Sequence, residues 1–210
     1  MKSLRPLIIY GAGGHGRVVV DTLIESGMHV TCVVDDSKQV ESLYGIPVTS
    51  RDQWIKPKVA WDFVVAVGNN SLRSKLSNQL MQEGGRAITV VHPHSFLSSR
   101  CKLDIGVVVL AGVIVNAGAI ISRNVILNTG CSVDHDCFVG ANSLLCPGVH
   151  LAGNVSIGEN SLIGTGVSAV PGVEVGRGCE IGAGAVINKN IPDNSLAVGV
   201  PAKVIGESNI

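Results

Sequence analysis

An α/β domain with a small parallel sheet, followed by an all-β solenoid of hexapeptide repeats, is the fold class these 210 residues predict. Three observations carry it. Aliphatic side chains return every sixth residue from Val91 to Ile187, seventeen positions without a slip, Ala169 being the smallest. The fifth place of each six is mostly small or β-branched, as at Ser95, Cys101, Val107, Val113 and Ala119, and glycine crowds the second and fourth places. A period of six fits neither a lone helix nor a simple alternating strand, but it fits a coil of three flat sides with an inward residue on each. Ahead of it, short apolar runs alternate with helical stretches, the pattern of a parallel sheet. Residues 1–90, 91–192 and 193–210 are the expected α/β domain, solenoid and C-terminal segment.

Taken in order, Leu7–Tyr10 is a short apolar strand, and Gly11-Ala-Gly-Gly-His-Gly16 is a loop before a helix over Arg17–Glu25. Val30–Val34 is a second strand ending in Asp35-Asp36, Gly45–Val48 a short third, and Asp62–Val67 another that ends in Gly68-Asn69-Asn70. Leu72–Gln82 reads as a helix closed by Gly84-Gly85, and Ala87–Val91 as a last strand running into the solenoid. A polar tail follows Lys203.

The composition fits a narrow prism: 46% of residues are hydrophobic but only 3% aromatic. Lys+Arg and Asp+Glu are 16 each, so bulk charge gives no reason to expect a nucleic-acid or membrane partner. Six cysteines show no metal spacing, and four of them, Cys101, Cys131, Cys137 and Cys179, fall on the small fifth place, which suits a reducing compartment. Met1–Leu7 lacks signal-peptide architecture, and no apolar run is long enough to span a bilayer. A cytoplasmic protein is expected.

Two stretches carry chemistry. Gly11, Gly13 and Gly16 match G-x-G-x-x-G between a strand and a helix, and Asp35 ends the next strand. Glycines let the backbone approach a diphosphate at a helix N-terminus, and the acidic residue suits a hydroxyl. A dinucleotide site, a half-site for one nucleotide diphosphate and its sugar, and a ligand-free turn all remain open on these residues, although ninety residues are few for a full dinucleotide fold. His15 inside the loop favours a ligand. The second stretch is Asp134-His135-Asp136 at mid-solenoid. A carboxylate beside an imidazole stabilises its protonated form and orients it, which suits His135 as a general base. His135 and His150 alone do not make the three imidazoles of a zinc site, and no metal is expected.

Gly11-Ala-Gly-Gly-His-Gly16, Val34-Asp-Asp36, Val67-Gly-Asn-Asn70, Leu127-Asn-Thr-Gly130, Asp134-His-Asp136 and Val198-Gly-Val-Pro-Ala-Lys203, in this order, resemble the sialic acid O-acetyltransferase/NeuD family, within it the PglD-like and perosamine N-acetyltransferases. The resemblance implies a left-handed parallel β-helix and a homotrimer with acetyl-CoA between neighbours. It implies a nucleotide-sugar held by Gly13, Gly14, His15, Asp35, Asp36 and Gly68. It makes His135 the base and Asp136 its modulator, with Asn128 on the same groove. Leu144, Gly153, Thr165 and Ala183 would contact CoA, and the segment ending at Lys203 would cover its far end. PglD-like members carry a second histidine where this chain has Leu144, and a glutamate where it has Asp136; the latter resembles the perosamine enzymes more. The implied reaction is direct acetyl transfer to the 4-amino group of a GDP- or UDP-linked amino-dideoxy sugar. A sugar O-acetyltransferase, a non-catalytic scaffold and an NAD-dependent enzyme are the rivals.

Overall fold

A computed structural model describes residues 5–37 and 39–209. The sequence reading of Met1–Leu7 therefore lies partly, at Met1–Leu4, outside the described residues.

The first unit is a six-stranded sheet: β1 (Leu7–Tyr10), β2 (Cys32–Val34), β3 (Ser42–Leu43), β4 (Ile46–Thr49), β5 (Trp61–Val65) and β6 (Gly85–Ala87), in the order β3-β4-β2-β1-β5-β6. All pairings are parallel except the β3–β4 hairpin. Helices α1 (Gly14–Glu25) and α2 (Asn70–Gln82) cover opposite faces. Successive strand side chains point to opposite faces. Leu7 and Ile9 therefore pack with Val19, Val20 and Leu23 of α1, while Ile8 and Tyr10 pack with Leu76 and Leu80 of α2. Burial on both faces is why β1 is an unbroken apolar run. The connections leave β1 in opposite directions, so its C-terminal end is a crevice of the kind that holds ligands in open α/β sheets.

Among the boundaries that differ from the sequence expectation, two bear on the site and the solenoid. Helix α1 begins at Gly14, directly in the glycine loop, so the loop's amides are the helix N-terminus. The expected single strand over Ala87–Val91 is two elements. Gly85–Ala87 pairs with Trp61–Phe63, whereas Val90–Val91 pairs with Val108–Val109, eighteen residues on. Val90 and Val91 are the first solenoid strand.

Seventeen two-residue strands, from Val90–Val91 to Val186–Ile187, build the solenoid, each pairing in parallel with the strand eighteen residues away. They form three faces. The first contains Val108–Val109 and Ile126–Leu127, the second Ile114–Val115 and Ser132–Val133, the third Ile120–Ile121 and Phe138–Val139. The aliphatic first-place residues point inward, and so do the fifth-place ones: Val107, Val113, Val125 and Cys131 have no exposure. The fifth place is small because it shares the narrow interior with its neighbour, rather than because it sits at a corner. The corner belongs to the fourth place. From Gly106 to Gly184 every fourth-place residue has positive φ, and each is glycine, asparagine or, once, Asp136. These are the residues that tolerate the left-handed region.

The outward residues of the first face, Val108, Ile126 and Leu144, pack against the α1 side of the α/β domain in one apolar cluster. At the far end, Ser195–Val198 extends that face and folds back antiparallel on Lys203–Glu207. A hairpin thus replaces the expected polar tail, because its backbone completes the sheet edge.

Candidate active site

Ser132–Val133 leads into the corner Asp134-His135-Asp136. Asp136 adopts φ 58°, so it fills a turn position that elsewhere takes glycine or asparagine. Its carboxylate Oδ2 lies 2.9 Å from His135 Nδ1. Asp134 Oδ1 accepts from the His135 amide at 2.7 Å and from Asn116 Nδ2 at 2.9 Å. With the Nδ1 proton directed at Asp136, the basic lone pair is on Nε2. The imidazole side chain is 56% exposed, so the ring is accessible to a reactant.

Two glycines one coil away make this arrangement possible. A Cβ on Gly153 would lie 2.3 Å from His135 Nε2 and 2.5 Å from Cε1, and a Cβ on Gly118 would lie 2.2 Å from Asp136 Oδ1. The ring is seated on Gly153 and the carboxylate on Gly118. Gly118 and Asn116 were not singled out from the sequence; the signal that finds them is the eighteen-residue coil, which sets them beside Asp136 and Asp134.

His135 is held above the ordinary imidazole pKa, first by the hydrogen bond to Asp136 and then by the charges of Asp134 and Asp136. Asp134 is held below the ordinary carboxylate value by the His135 amide and then by Asn116. A base works when neutral, so activity should rise with pH through the elevated His135 pKa. Asp136→Asn keeps a residue that accepts the positive φ but removes the main elevating contact. Its pH profile of kcat/KM should show the acid limb displaced to lower pH, with a lower plateau from a weaker base. An unmoved limb would mean that Asp136 does not tune His135.

The second face of the solenoid carries a groove of about 360 Å³ beside this corner, lined by Ser132, Asp134, His150, Ala152 and Ser168 among others. His150 Nδ1 lies 2.8 Å from Ser132 Oγ, which places this ring on the flat of the groove. Among the described residues, no group of three His, Cys, Asp or Glu side chains is placed to hold a metal ion.

The remaining solenoid candidates divide between two corners. Gly153 stacks with His135. Asn128, Thr165 and Ala183 occupy the corner at the other edge of the second face, where Asn128 Oδ1 accepts from the Thr129 amide. Leu144 is an outward residue of the first face, 8% exposed and packed in the apolar cluster with the α/β domain. Lys203 begins the second strand of the C-terminal hairpin and is exposed.

In the α/β domain a cleft of about 240 Å³ opens at the C-terminal end of β1, lined by Ala12, Gly13, Gly14, Arg17, Asp35 and Ser37 among others. Gly11 and Gly16 are structural: a Cβ there would meet Ala66 O at 2.6 Å or Gly11 O at 2.1 Å. Gly13 and Gly14 face open space, where a ligand can approach the backbone. Asp35 Oδ2 accepts from the Ala12 amide and Oδ1 from Ser37, so this carboxylate also fixes the loop. Asp36 is exposed, and its Oδ1 accepts from Tyr10 OH at 2.7 Å on the α2 side of the sheet. His15 is half-buried; burial and then Arg73 lower its pKa to about 4, so it is neutral near pH 7. Gly68 follows β5 beside this loop.

Residues 6–80 match the model of the PglD N-terminal domain, and residues 130–168 and 154–189 match the bacterial transferase hexapeptide repeat. The structure of PerB from Caulobacter crescentus in complex with CoA and GDP-perosamine is 37% identical, with a TM-score of 0.89 over 97% of this chain and 99% of that one. The chain belongs to the hexapeptide transferases that carry a PglD N-terminal domain. Its solenoid is the left-handed β-helix of that family. The acetyltransferase domain of PglB from Neisseria gonorrhoeae, also 37% identical, superposes with a TM-score of 0.88 over 96% of this chain and all of that one. In sequence, the GDP-perosamine N-acetyltransferase of Escherichia coli O157:H7 is 30% identical over 67% of this chain and 66% of its own length. The UDP-N-acetylbacillosamine N-acetyltransferase of Bacillus subtilis is 34% identical over 51% and 52%. The aligned stretches thus span about two thirds and about half of these two relatives. Family membership makes the chain an acyltransferase, and the scaffold and NAD readings fall away.

Proposed function

We propose that the protein transfers the acetyl group of acetyl-CoA to the 4-amino group of a GDP- or UDP-linked amino-dideoxy sugar. The observation that carries this reading is the His135–Asp136 pair, with an accessible ring, in a chain whose other domain offers a glycine-loop cleft. Full-length likeness to a protein solved with CoA and GDP-perosamine supports it. The cleft holds the nucleotide diphosphate at Gly13, Gly14 and His15, with Gly68 alongside and the nucleoside near Asp35 and Asp36.

The amine attacks the thioester carbonyl, forming the C–N bond. His135 Nε2 takes a proton from the nitrogen, and Asp136 stabilises the imidazolium. The tetrahedral intermediate expels CoA as thiolate, which recovers the proton. No acyl-enzyme is required. The cysteines of the fifth place are packed inside, and burial raises the pKa of Cys131 to about 11 and that of Cys137 as well, which leaves them poor nucleophiles.

A homotrimer completes the site. Asn128 and His135 lie seven residues apart at opposite edges of one face, up to roughly 23 Å for extended chain. Two neighbours packed face to face would set His135 of one copy against Asn128 of the next. Acetyl-CoA then runs between copies, along His135 and Gly153 of one and Asn128, Thr165 and Ala183 of the next, toward Lys203. No described helix is long and apolar enough to cross a membrane, and all six cysteines are free thiols. In this reading the enzyme works in the cytoplasm, where it makes an activated acetamido sugar for polysaccharide assembly.

Thiol release from acetyl-CoA across UDP- and GDP-linked 4-amino-4,6-dideoxy sugars, free sialic acid and a blank tests the reading. Release with one amino-sugar fixes the nucleotide. Release with sialic acid alone replaces N-acetylation by O-acetylation.

A further inference from the structure

Arg73 of α2 is a cation only 1% exposed. Its Nε donates to Asn124 O, Nη1 to the carbonyls of Val67 and Gly68 at 3.0 Å each, and Nη2 to Asn70 Oδ1 at 2.7 Å and to Asn142 O. Among the described residues no carboxylate pairs with it. Carbonyls satisfy its hydrogen bonds but do not cancel its charge, and an unpaired buried charge is costly to keep for packing alone.

The cage has a direction. Val67 and Gly68 turn their carbonyls toward the guanidinium, and in a trans peptide the next N–H points the opposite way. The Gly68 and Asn69 amides therefore face away from Arg73 with their dipoles reinforced, which favours an anion on that side. The glycine loop is adjacent: Gly11 presses so closely on Ala66 that a Cβ would not fit. His15 in that loop also feels the Arg73 charge.

We propose that Arg73 is a positioning residue whose missing counter-ion is the diphosphate of the nucleotide-sugar, held across the Gly68 turn without direct contact. The same guanidinium grips Asn124 and Asn142 of the solenoid, so it also fixes the diphosphate relative to the catalytic coils. This inference rests on the nucleotide-sugar reading above.

Asn70→Asp tests it. The change is isosteric, keeps an acceptor for Nη2 and supplies an internal anion; it gives up one hydrogen bond, from Asn70 Nδ2 to Asn160 O. Affinities of wild type and variant are measured for guanosine and uridine, their monophosphates, and GDP and UDP, with acetyl-CoA binding and thermal melting as controls. The expected loss is about tenfold for the diphosphate, smaller for the monophosphate and negligible for the nucleoside, with acetyl-CoA unchanged. Arg73→Gln, which removes the charge and the cage together, should show the same grading. Diphosphate affinity within twofold of wild type in Asn70→Asp, or an equal loss for nucleoside and diphosphate, overturns the proposal while nucleotide binding stands. Wild type that binds neither GDP nor UDP overturns both readings.

Discussion

His135→Ala is expected to lower kcat by about 10²–10⁴, the usual contribution of a positioned general base, with acetyl-CoA affinity and melting temperature little changed. The physical basis is local. At neutral pH an amino-sugar is largely an ammonium, which has no lone pair; it must first lose one proton to solvent, and the attacking amine then gives a second to His135 as the C–N bond forms. His135 offers an accessible imidazole beside a carboxylate that stabilises the resulting imidazolium. His150 is no substitute, since it sits on the flat of the second face against Ser132. The side chain makes no core contact that would carry the fold, because it is more than half exposed. Steady-state kinetics at saturating acetyl-CoA checks this, and near-normal turnover in the variant would remove His135 from the chemistry.

Gly153→Ala is expected to cost about 10- to 100-fold in kcat while the coil remains folded, since misplacement by an ångström is enough for such a loss. The new methyl would stand 2.3 Å from Nε2, inside any permissible contact. The nearest relief is a swing of the imidazole off its seat, which breaks the bond to Asp136 and turns Nε2 away from the acceptor. Gly153 is outside the left-handed region, so alanine brings no backbone strain of its own. A melting curve beside the rate separates the two effects: equal losses of rate and stability would point to a damaged coil instead of a displaced base.

The solenoid was legible because each repeat presents the same side-chain problem, so seventeen copies report one geometry. The His–Asp pair was legible because both partners are neighbours in sequence, and Asp136 departs from the glycine or asparagine that its turn otherwise takes. The glycine loop was legible as a strand-to-helix turn, and the cleft lies there.

What escaped depends on contacts made through space. Gly153 entered only through the resemblance, as a CoA contact, and its place under the imidazole needed the coil stacking. Leu144 packs under the α/β domain, a contact that only docking makes. Its row is apolar from Val90 through Val108, Ile126 and Leu144 to Leu162, turning polar only at Glu180, and that run was the available sign of a covering domain. Arg73 carried no sequence signal: only domain docking makes its carbonyl cage, since Asn124 and Asn142 come from coils far along the chain. The strand over Ala87–Val91 divided because β-propensity does not say which of two sheets a residue joins.

The structure of the product tests the central claim most directly. The protein is incubated with acetyl-CoA and a GDP- or UDP-linked 4-amino-4,6-dideoxy sugar, and the product is examined by mass spectrometry and NMR. The expected result is one added acetyl group, as an amide on the C4 nitrogen, with one CoA released per acetamido sugar. An ester on a sugar hydroxyl, or CoA release without an acetylated sugar, would contradict it.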